Sequence, residues 1–367
     1  MTETLMIAGG GTGGHIYPAI AIAREYVGRK PERKVIFVGT GAGLETTIVP
    51  KAGFPLELIS VGGLKGKGLV DFLRNLARLP LGFVHAWKVV GRYRPAAVLG
   101  VGGYSSGPVL LAARLRGVPT IIHEQNAYPG LTNRLLAKFV QSVVVAFSDA
   151  LPRLGRPDGI TTGNPIRTEF FDLGAAPRSE LPNGRKRLLI FGGSQGSRIL
   201  NDAMTGALLF LARLKDRLDI VHQTGPKELE KVQQAYKSSA FNDARVVAYL
   251  DPMATEIAAA DLVVSRAGAM TIGELAAIGR AAILVPFAAA TNNHQEVNAR
   301  VVEKAGGAIV ITEAELTPER LAAAIAEVLG DPARVTAMAE GSRKLATPGA
   351  TARIVETIER IQRNQLP

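Results

Sequence analysis

A strand-like run, a glycine-rich turn and a helical pattern follow one another twice in this chain, and that repetition constrains the fold more than any other feature. The first copy is LMIAGGGTGGHIYPAIAIA, residues 5–23, and the second is RLLIFGGSQGSRILNDAM, residues 187–204. After the first come the short β-rich runs KVIFVG, AAVLGVG, TIIHEQ and SVVVAF; after the second come LDIVHQTG, ARVVAYL, DLVVSRAG and AAILVPF. Brief apolar runs alternating with longer helical stretches are the pattern of βαβ units and a parallel sheet. The fold class expected is therefore α/β, with two Rossmann-like, doubly wound domains facing each other across a cleft. Residues 164–187, NPIRTEFFDLGAAPRSELPNGRKR, are rich in Pro, Gly and charge and read as a linker. The boundaries predicted are residues 1–163 for the first domain, 188–349 for the second, and 350–367 for a terminal amphipathic helix, ATARIVETIERIQ. Ligands in such sheets bind beyond the carboxyl ends of the strands, so the glycine turns are expected at the binding site.

Composition narrows the chemistry. With 367 residues, 47% of them apolar, the chain can bury two cores. It has no cysteine, which excludes disulfides, thiolate nucleophiles and Cys-ligated zinc. MTETLMIAGG has no basic leader region, and no run reaches the roughly 18–20 apolar residues of a spanning helix, so a soluble or surface-bound protein is expected. The net charge of +11 is uneven: residues 1–165 carry +10 and the remainder +1. That asymmetry points to an anionic partner for the first half, nucleic acid or acidic lipid. The basic segment lacks the interleaved aromatics of a single-strand binder, which argues against nucleic acid.

Gly9, Gly11 and Gly14 satisfy G-x-G-x-x-G after a strand. The second strand closes on Gly39 and Thr40, however, without the acid that holds a dinucleotide ribose, and no GK[ST] marks a P-loop. The stronger nucleotide signal is SRAGAMTIGELAAIGRAAILVPF. There DLVVS ends at Ser265, a small-residue turn follows, and a helix beginning near Ala269 offers free amides and a positive dipole end to a diphosphate. Glu274, one turn in, could accept both hydroxyls of a ribose, and GGSQGSR supplies further donors. No D-x-D occurs, so helix ends and basic side chains, with no metal and no cofactor, are expected to stabilise a leaving diphosphate.

GGGTGGHIYPA, GTGAGLE, GLKGKG, GVGGYSSGP, HEQNAYPGLTNRLLAKF, GNPIR, GGSQGSRILN, SRAGAMTIGELAAIGRAAILVPF and NNHQEVNA together resemble the MurG-type glycosyltransferases, in the family's order from residue 9 to 299. The resemblance implies the GT-B fold, with an acceptor-binding first half, a donor-binding second half and a terminal helix crossing back to the first domain. It implies transfer of N-acetylglucosamine from UDP-N-acetylglucosamine to undecaprenyl-diphosphate-linked N-acetylmuramyl pentapeptide, at the cytoplasmic face of the bacterial plasma membrane. By motif it assigns Glu274 to the ribose, and Ala269, Met270 and Thr271 to the diphosphate and uridine neighbourhood, with Ile272 and Gly273 also among the substrate-binding residues. Leu250 would meet the uracil, Ser194 and Arg167 the phosphates, and Gln295 the sugar hydroxyls. Thr12, Gly13, Gly14 and Asn126 would close over the donor's sugar. Many relatives have an acid just before the histidine and glutamine of NNHQ, where this chain has Asn293.

Such an enzyme inverts at C1, which needs a base at the attacking hydroxyl and donors for the departing diphosphate. His15 suits the base role, since histidine is the side chain whose free form changes charge near neutral pH, and a helix-start histidine bonding its own turn is the structural alternative. His123 and Glu124 could instead serve as base or orient the acceptor. His85 is assigned to an interface, and His222 to packing at a strand end. The membrane contact is expected at KGKGLVDFLRNLARLPLGFVHAWKVVGRYR, where Leu73, Leu76, Leu79, Phe83 and Trp87 are ringed by basic residues. Competing readings are a non-hydrolysing UDP-N-acetylglucosamine epimerase and a UDP-sugar-sensing membrane scaffold.

Overall fold

The computed structural model describes residues 3–61, 79–176, 181 and 184–363. It divides into two compact units, residues 1–166 with 349–367, and residues 167–348.

The first unit is built on β1 (Thr4–Ala8), α1 (Gly13–Gly28), β2 (Lys34–Gly39), α2 (Glu45–Lys51), β3 (Leu56–Leu58), α3 (Leu79–Tyr93) and β4 (Ala97–Gly100). It continues with α4 (Ser106–Leu115), β5 (Thr120–Glu124), α5 (Leu131–Leu136), β6 (Ser142–Val145), α6 (Ala150–Leu154) and β7 (Ile160–Thr161). Its seven strands run in the order β3-β2-β1-β4-β5-β6-β7, and all pairings are parallel. The central strands are almost wholly buried because helices cover both faces. Leu5, Ile7 and Leu99 point into one core and Met6, Ala8 and Val98 into the other. Each fully buried Leu, Ile, Val or Met among them contributes about 1.5–3 kcal/mol. The chain winds outward from β1 toward β2 on one side and crosses to β4 on the other, so the switch point of this sheet lies between β1 and β4.

The second unit opens with a helix that sequence reasoning assigned to a linker. Thr168–Ala175 forms α7, with Phe170 fully buried; a Cβ on Gly174 would fall within 2.8 Å of the backbone at Ile278. Its Pro- and Gly-rich flanks hid a short apolar face that packs within this unit. There follow β8 (Lys186–Phe191), α8 (Arg198–Leu211), β9 (Leu218–Gln223), α9 (Leu229–Lys237), β10 (Arg245–Val247), α10 (Met253–Ala259) and β11 (Leu262–Ser265). The unit ends with α11 (Ala269–Ile278), β12 (Ala281–Leu284), α12 (His294–Lys304), β13 (Ala308–Val310), α13 (Pro318–Leu329) and α14 (Pro332–Arg343). The sheet order is β10-β9-β8-β11-β12-β13, again parallel, with its switch point between β8 and β11.

The terminal helix α15 (Ala350–Arg363) belongs to the first unit. Ile354, Val355, Ile358 and Ile361 fall on one helical face and enter the core that holds Ile16, Ile20 and Tyr26. Polar ties close the contact. Arg33, its side chain 4% exposed, donates to Glu359 at 2.7 Å and to Glu3 at 2.7 Å, and Gln362 Nε2 donates to the Tyr26 hydroxyl at 2.9 Å.

Candidate active site

In the first unit the loops after β1, β4 and β5 meet at the switch point. The glycine loop after β1 is held by a carboxylate of its own. Glu45, 1% exposed at the start of α2, accepts from the Gly11 amide at 2.7 Å, the Thr40 amide at 3.0 Å and the Thr40 hydroxyl at 2.9 Å. Burial alone would raise its pKa, but the hydrogen bonds from Gly11 and Thr40 outweigh it and hold the carboxyl below its ordinary value. A side chain on Gly10, Gly39 or Gly43 would overlap this carboxylate, so these glycines make room for Glu45 itself. Among the described residues, the amides of Gly13 and Gly14 in the first turn of α1 have no acceptor and remain available at the helix N-terminus.

His15 follows them on α1, partly exposed, with its ring against the backbone of Gly102. A Cβ at Gly102 would lie 3.0 Å from His15 Cε1, and φ there is +95°, so the β4 loop needs glycine to admit the imidazole. His15 Nδ1 lies 3.1 Å from Gln125 Oε1, a partner 110 positions away rather than its own turn. His123 on β5 is fully buried, and desolvation pushes it down to about 4, so it is neutral at physiological pH. Glu124 is also buried and saturated: Oε1 accepts from the Asn126 amide at 3.0 Å and side chain at 3.2 Å, Oε2 from the Gly130 amide at 3.0 Å and Asn133 at 2.9 Å. Those four bonds shape the loop that presents Asn126, which is itself partly exposed. Thr12 is exposed, as the cap of α1.

In the second unit the turns after β8 and β11 flank the other switch point. Ser194 is exposed on the first turn, and Ser197 caps α8 by accepting from the Leu200 amide at 3.4 Å. Gln223, at the end of β9, donates to the Gly193 carbonyl at 2.9 Å and accepts from the Leu250 amide at 3.1 Å. It thereby ties the glycine turn to Leu250, a role that no sequence pattern announced. After β11 the chain turns through Gly268, and α11 begins at Ala269, with Met270, Thr271, Ile272 and Gly273 in its first two turns. Glu274 is partly exposed, and among the described residues no group donates a hydrogen bond to its carboxyl. Desolvation pushes it up to about 7, against the opposing pull of Arg167. Arg167, exposed at the cap of α7, pairs with Glu169 at 2.9 Å. Gln295 Oε1 accepts from the Phe287 amide at 3.0 Å, and Asn293 caps α12 in the left-handed region at φ 53°. His222 is buried between Asn201 and the Tyr236 hydroxyl, each at 3.1 Å, a packing role as expected from its place at a strand end.

Of the expected membrane residues, Leu73 and Leu76 lie outside the described residues, as does the side chain of Leu79. Phe83 is half-buried against the core, whereas Leu81, Val84 and Trp87 are exposed on α3. The apolar surface goes on across Leu111 and Leu115 of α4 to Leu135 and Phe139. Two arginines stitch it together: Arg116 stacks 4.0 Å over the Trp87 ring, and Arg114 donates to the Phe139 carbonyl at 3.1 Å. Lys88, Arg92 and Lys138 are exposed on the same elements and their margins. No helix among the described residues is long and apolar enough to cross a membrane, and none of these residues forms a metal-ligating group of three or more His, Cys, Asp or Glu.

Comparison with known proteins is consistent along the whole chain. The Glycosyltransferase family 28 N-terminal domain matches residues 5–145 and the family 28 C-terminal domain residues 187–354. The chain is 46% identical over 361 residues to the UDP-N-acetylglucosamine--N-acetylmuramyl-(pentapeptide) pyrophosphoryl-undecaprenol N-acetylglucosamine transferase of Anaeromyxobacter sp. (strain K), covering 98% of this chain and 94% of that one. The crystal structure of Acinetobacter baumannii MurG superposes with a TM-score of 0.82 at 31% identity, covering 98% and 99% of the two chains. A putative UDP-N-acetylglucosamine 2-epimerase from Listeria monocytogenes superposes at 0.68 with 14% identity over 100% and 99%, which shows a shared fold alone. The chain belongs to glycosyltransferase family 28, among the MurG-type N-acetylglucosamine transferases, and has the two Rossmann-like domains of the GT-B fold.

Proposed function

We propose that this protein transfers N-acetylglucosamine from UDP-N-acetylglucosamine to the 4-hydroxyl of undecaprenyl-diphosphate-linked N-acetylmuramyl pentapeptide, with inversion at C1. The observation that carries the reading is identity of 46% spread over 98% of the chain, so both halves of the machinery match the same kind of relative. In the second unit, the N-terminus of α11 and the Ser194 turn receive the diphosphate, with Arg167 as its basic partner. Glu274 accepts the ribose hydroxyls, Leu250 packs on the base, and Gln295 meets the sugar. In the first unit, Thr12, the free amides of Gly13 and Gly14, and Asn126 contact the sugar.

The acceptor oxygen forms its bond to C1 as the bond from C1 to the UDP oxygen breaks. His15 Nε2 takes the hydroxyl proton, and the charge that develops on UDP is met by α11 and Arg167. His123, neutral and fully enclosed, and Glu124, with both oxygens engaged, shape the loop beside His15. The donor set offered to the diphosphate consists of amides, a hydroxyl and a guanidinium, and this supports turnover without a metal.

The exposed apolar band on α3, α4 and the Leu135–Phe139 stretch, rimmed by Lys88, Arg92, Arg114, Arg116 and Lys138, supports peripheral binding to anionic lipid at the cytoplasmic face of the bacterial plasma membrane. Each basic side chain contributes about 1 kcal/mol near such a surface. The test is transfer of radiolabel from UDP-N-acetylglucosamine to a short-chain analogue of the muramyl-pentapeptide lipid, with and without EDTA. Labelled disaccharide-lipid in both arms is expected. Epimerised nucleotide or free sugar, with no labelled lipid, would replace this reading with the epimerase one, and a requirement for added cation would overturn the metal-free mechanism.

A further inference from the structure

Gln125 stands between two histidines, and the hydrogen bonds around it leave only one consistent arrangement of protons. Its side chain is 1% exposed at the end of β5. Nε2 lies 3.1 Å from the Val101 carbonyl and 3.3 Å from the His123 carbonyl. Both are obligate acceptors, so the amide nitrogen must face them and Oε1 must face His15. Oε1 can only accept. His15 Nδ1, 3.1 Å away, therefore carries the hydrogen. The same logic runs the other way: Gln125 Nε2 is 3.2 Å from His123 Nδ1, which must present a lone pair, so His123 Nε2 carries the proton and donates to the Gly163 carbonyl at 3.4 Å. The burial that holds His123 neutral keeps it an acceptor.

We infer that Gln125 is a positioning residue that locks His15 in its Nδ1–H tautomer and leaves Nε2 as the sole lone pair on that imidazole. The inference rests on the reading of His15 as the base that receives the acceptor's proton. Because Oε1 accepts from Nδ1–H whether His15 is neutral or protonated, the ring keeps one orientation through proton uptake and release. A neutral amide also places no negative charge beside the imidazolium, so the captured proton is not retained by an ion pair. A carboxylate at this position would hold the proton more tightly and would set its second oxygen against the Val101 and His123 carbonyls, which the amide nitrogen serves as donor.

The chain contains five histidines, so nitrogen NMR of histidine-labelled enzyme can read the tautomer directly, with His15→Ala identifying the resonances that belong to His15. The expected spectrum has Nδ1 protonated and Nε2 bare in neutral His15. Gln125→Glu should preserve that tautomer yet move the acid limb of the kcat–pH profile upward by about 1 unit or more. Gln125→Met should mix the tautomers and lower kcat about 10- to 100-fold, part of the about 10²–10⁴ a general base contributes, with donor KM little changed. A purely structural role for Gln125 would lower the active fraction without moving the pH midpoint.

Wild-type His15 found with its proton on Nε2 overturns the inference, and so does a Gln125→Glu profile that does not shift. If Gln125→Met fails to fold, the wild-type spectrum and the Gln125→Glu profile still decide. Failure of the base reading itself would look different: His15→Ala would keep full turnover whatever tautomer the spectrum showed.

Discussion

Glu274→Gln should make the empty protein more stable and its grip on UDP weaker, and the size of both effects depends on pH. The carboxyl lies among protein atoms with no hydrogen-bond donor from the described residues, and burial raises its pKa from 4.5 to about 7. At about 1.4 kcal/mol per pH unit, that difference makes the ionised side chain roughly 3 kcal/mol costlier in the native state than in the unfolded chain, an upper value because water reaches part of the residue. The unfolded chain loses this proton near 4.5 and the native state near 7, so between those values the native state binds more protons and stability falls as pH rises. Above about 7 the penalty is constant.

Glutamine has no proton to lose and pays no such cost. Its advantage should grow from near zero at pH 4.5 to as much as roughly 3 kcal/mol at pH 8. Urea unfolding across this range, followed by hydrogen exchange in residues 262–284, reads the second unit alone. Ribose hydroxyls, in contrast, need the carboxylate, so wild-type affinity for UDP should rise relative to the variant as pH increases through 7. Calorimetric titration at pH 6 and pH 8 measures that. A variant with no stability gain at pH 8, or one that binds UDP as tightly as wild type there, refutes the assignment of Glu274 as a carboxylate held in waiting for a diol.

His15→Ala should lower turnover about 10²- to 10⁴-fold in the lipid-acceptor assay while calorimetry shows UDP binding intact. Glu45→Gln should cost about 1–3 kcal/mol by leaving the Gly11 or Thr40 amide opposed, and hydrogen exchange should show the 9–14 loop opening. Since hydrogen bonding depresses the native pKa of Glu45, its contribution should be full above 4.5 and vanish as pH falls through the lower native value, a limb that the variant's acid-unfolding curve should lack. Val84→Glu with Trp87→Glu should abolish flotation with anionic vesicles and leave transfer to a water-soluble acceptor unchanged; undiminished flotation would place the membrane contact elsewhere.

Much of the fold was legible because parallel strands covered on both faces leave an apolar run, and a glycine turn follows wherever a strand hands over to a helix at the switch point. Those signals located β1, β8 and β11 and the loops after them. What the sequence concealed were contacts between distant positions. Thr168–Ala175 read as linker because its helix is short and its one fully buried side chain, Phe170, is flanked by Pro, Gly and charge. Gln125 sat unremarked inside HEQN, since its meaning depends on a histidine 110 residues earlier. Gln223 carries no motif at all. Glu45 looked like one more letter of GTGAGLE, and only the crowding of three glycines about its carboxylate shows why they are glycines.

That carboxylate also bears on what the first unit refuses. In many doubly wound proteins the loop after the first strand is an open anion cradle, available to any nucleotide in a crowded cell. Here the Gly11 amide arrives already filled, and only those of Gly13 and Gly14 stay open. A phosphate approaching the Gly11 amide would have to displace the Glu45 carboxylate from its three hydrogen bonds and face a like charge, so this stretch of the loop is held against it by a tethered competitor encoded 34 residues downstream.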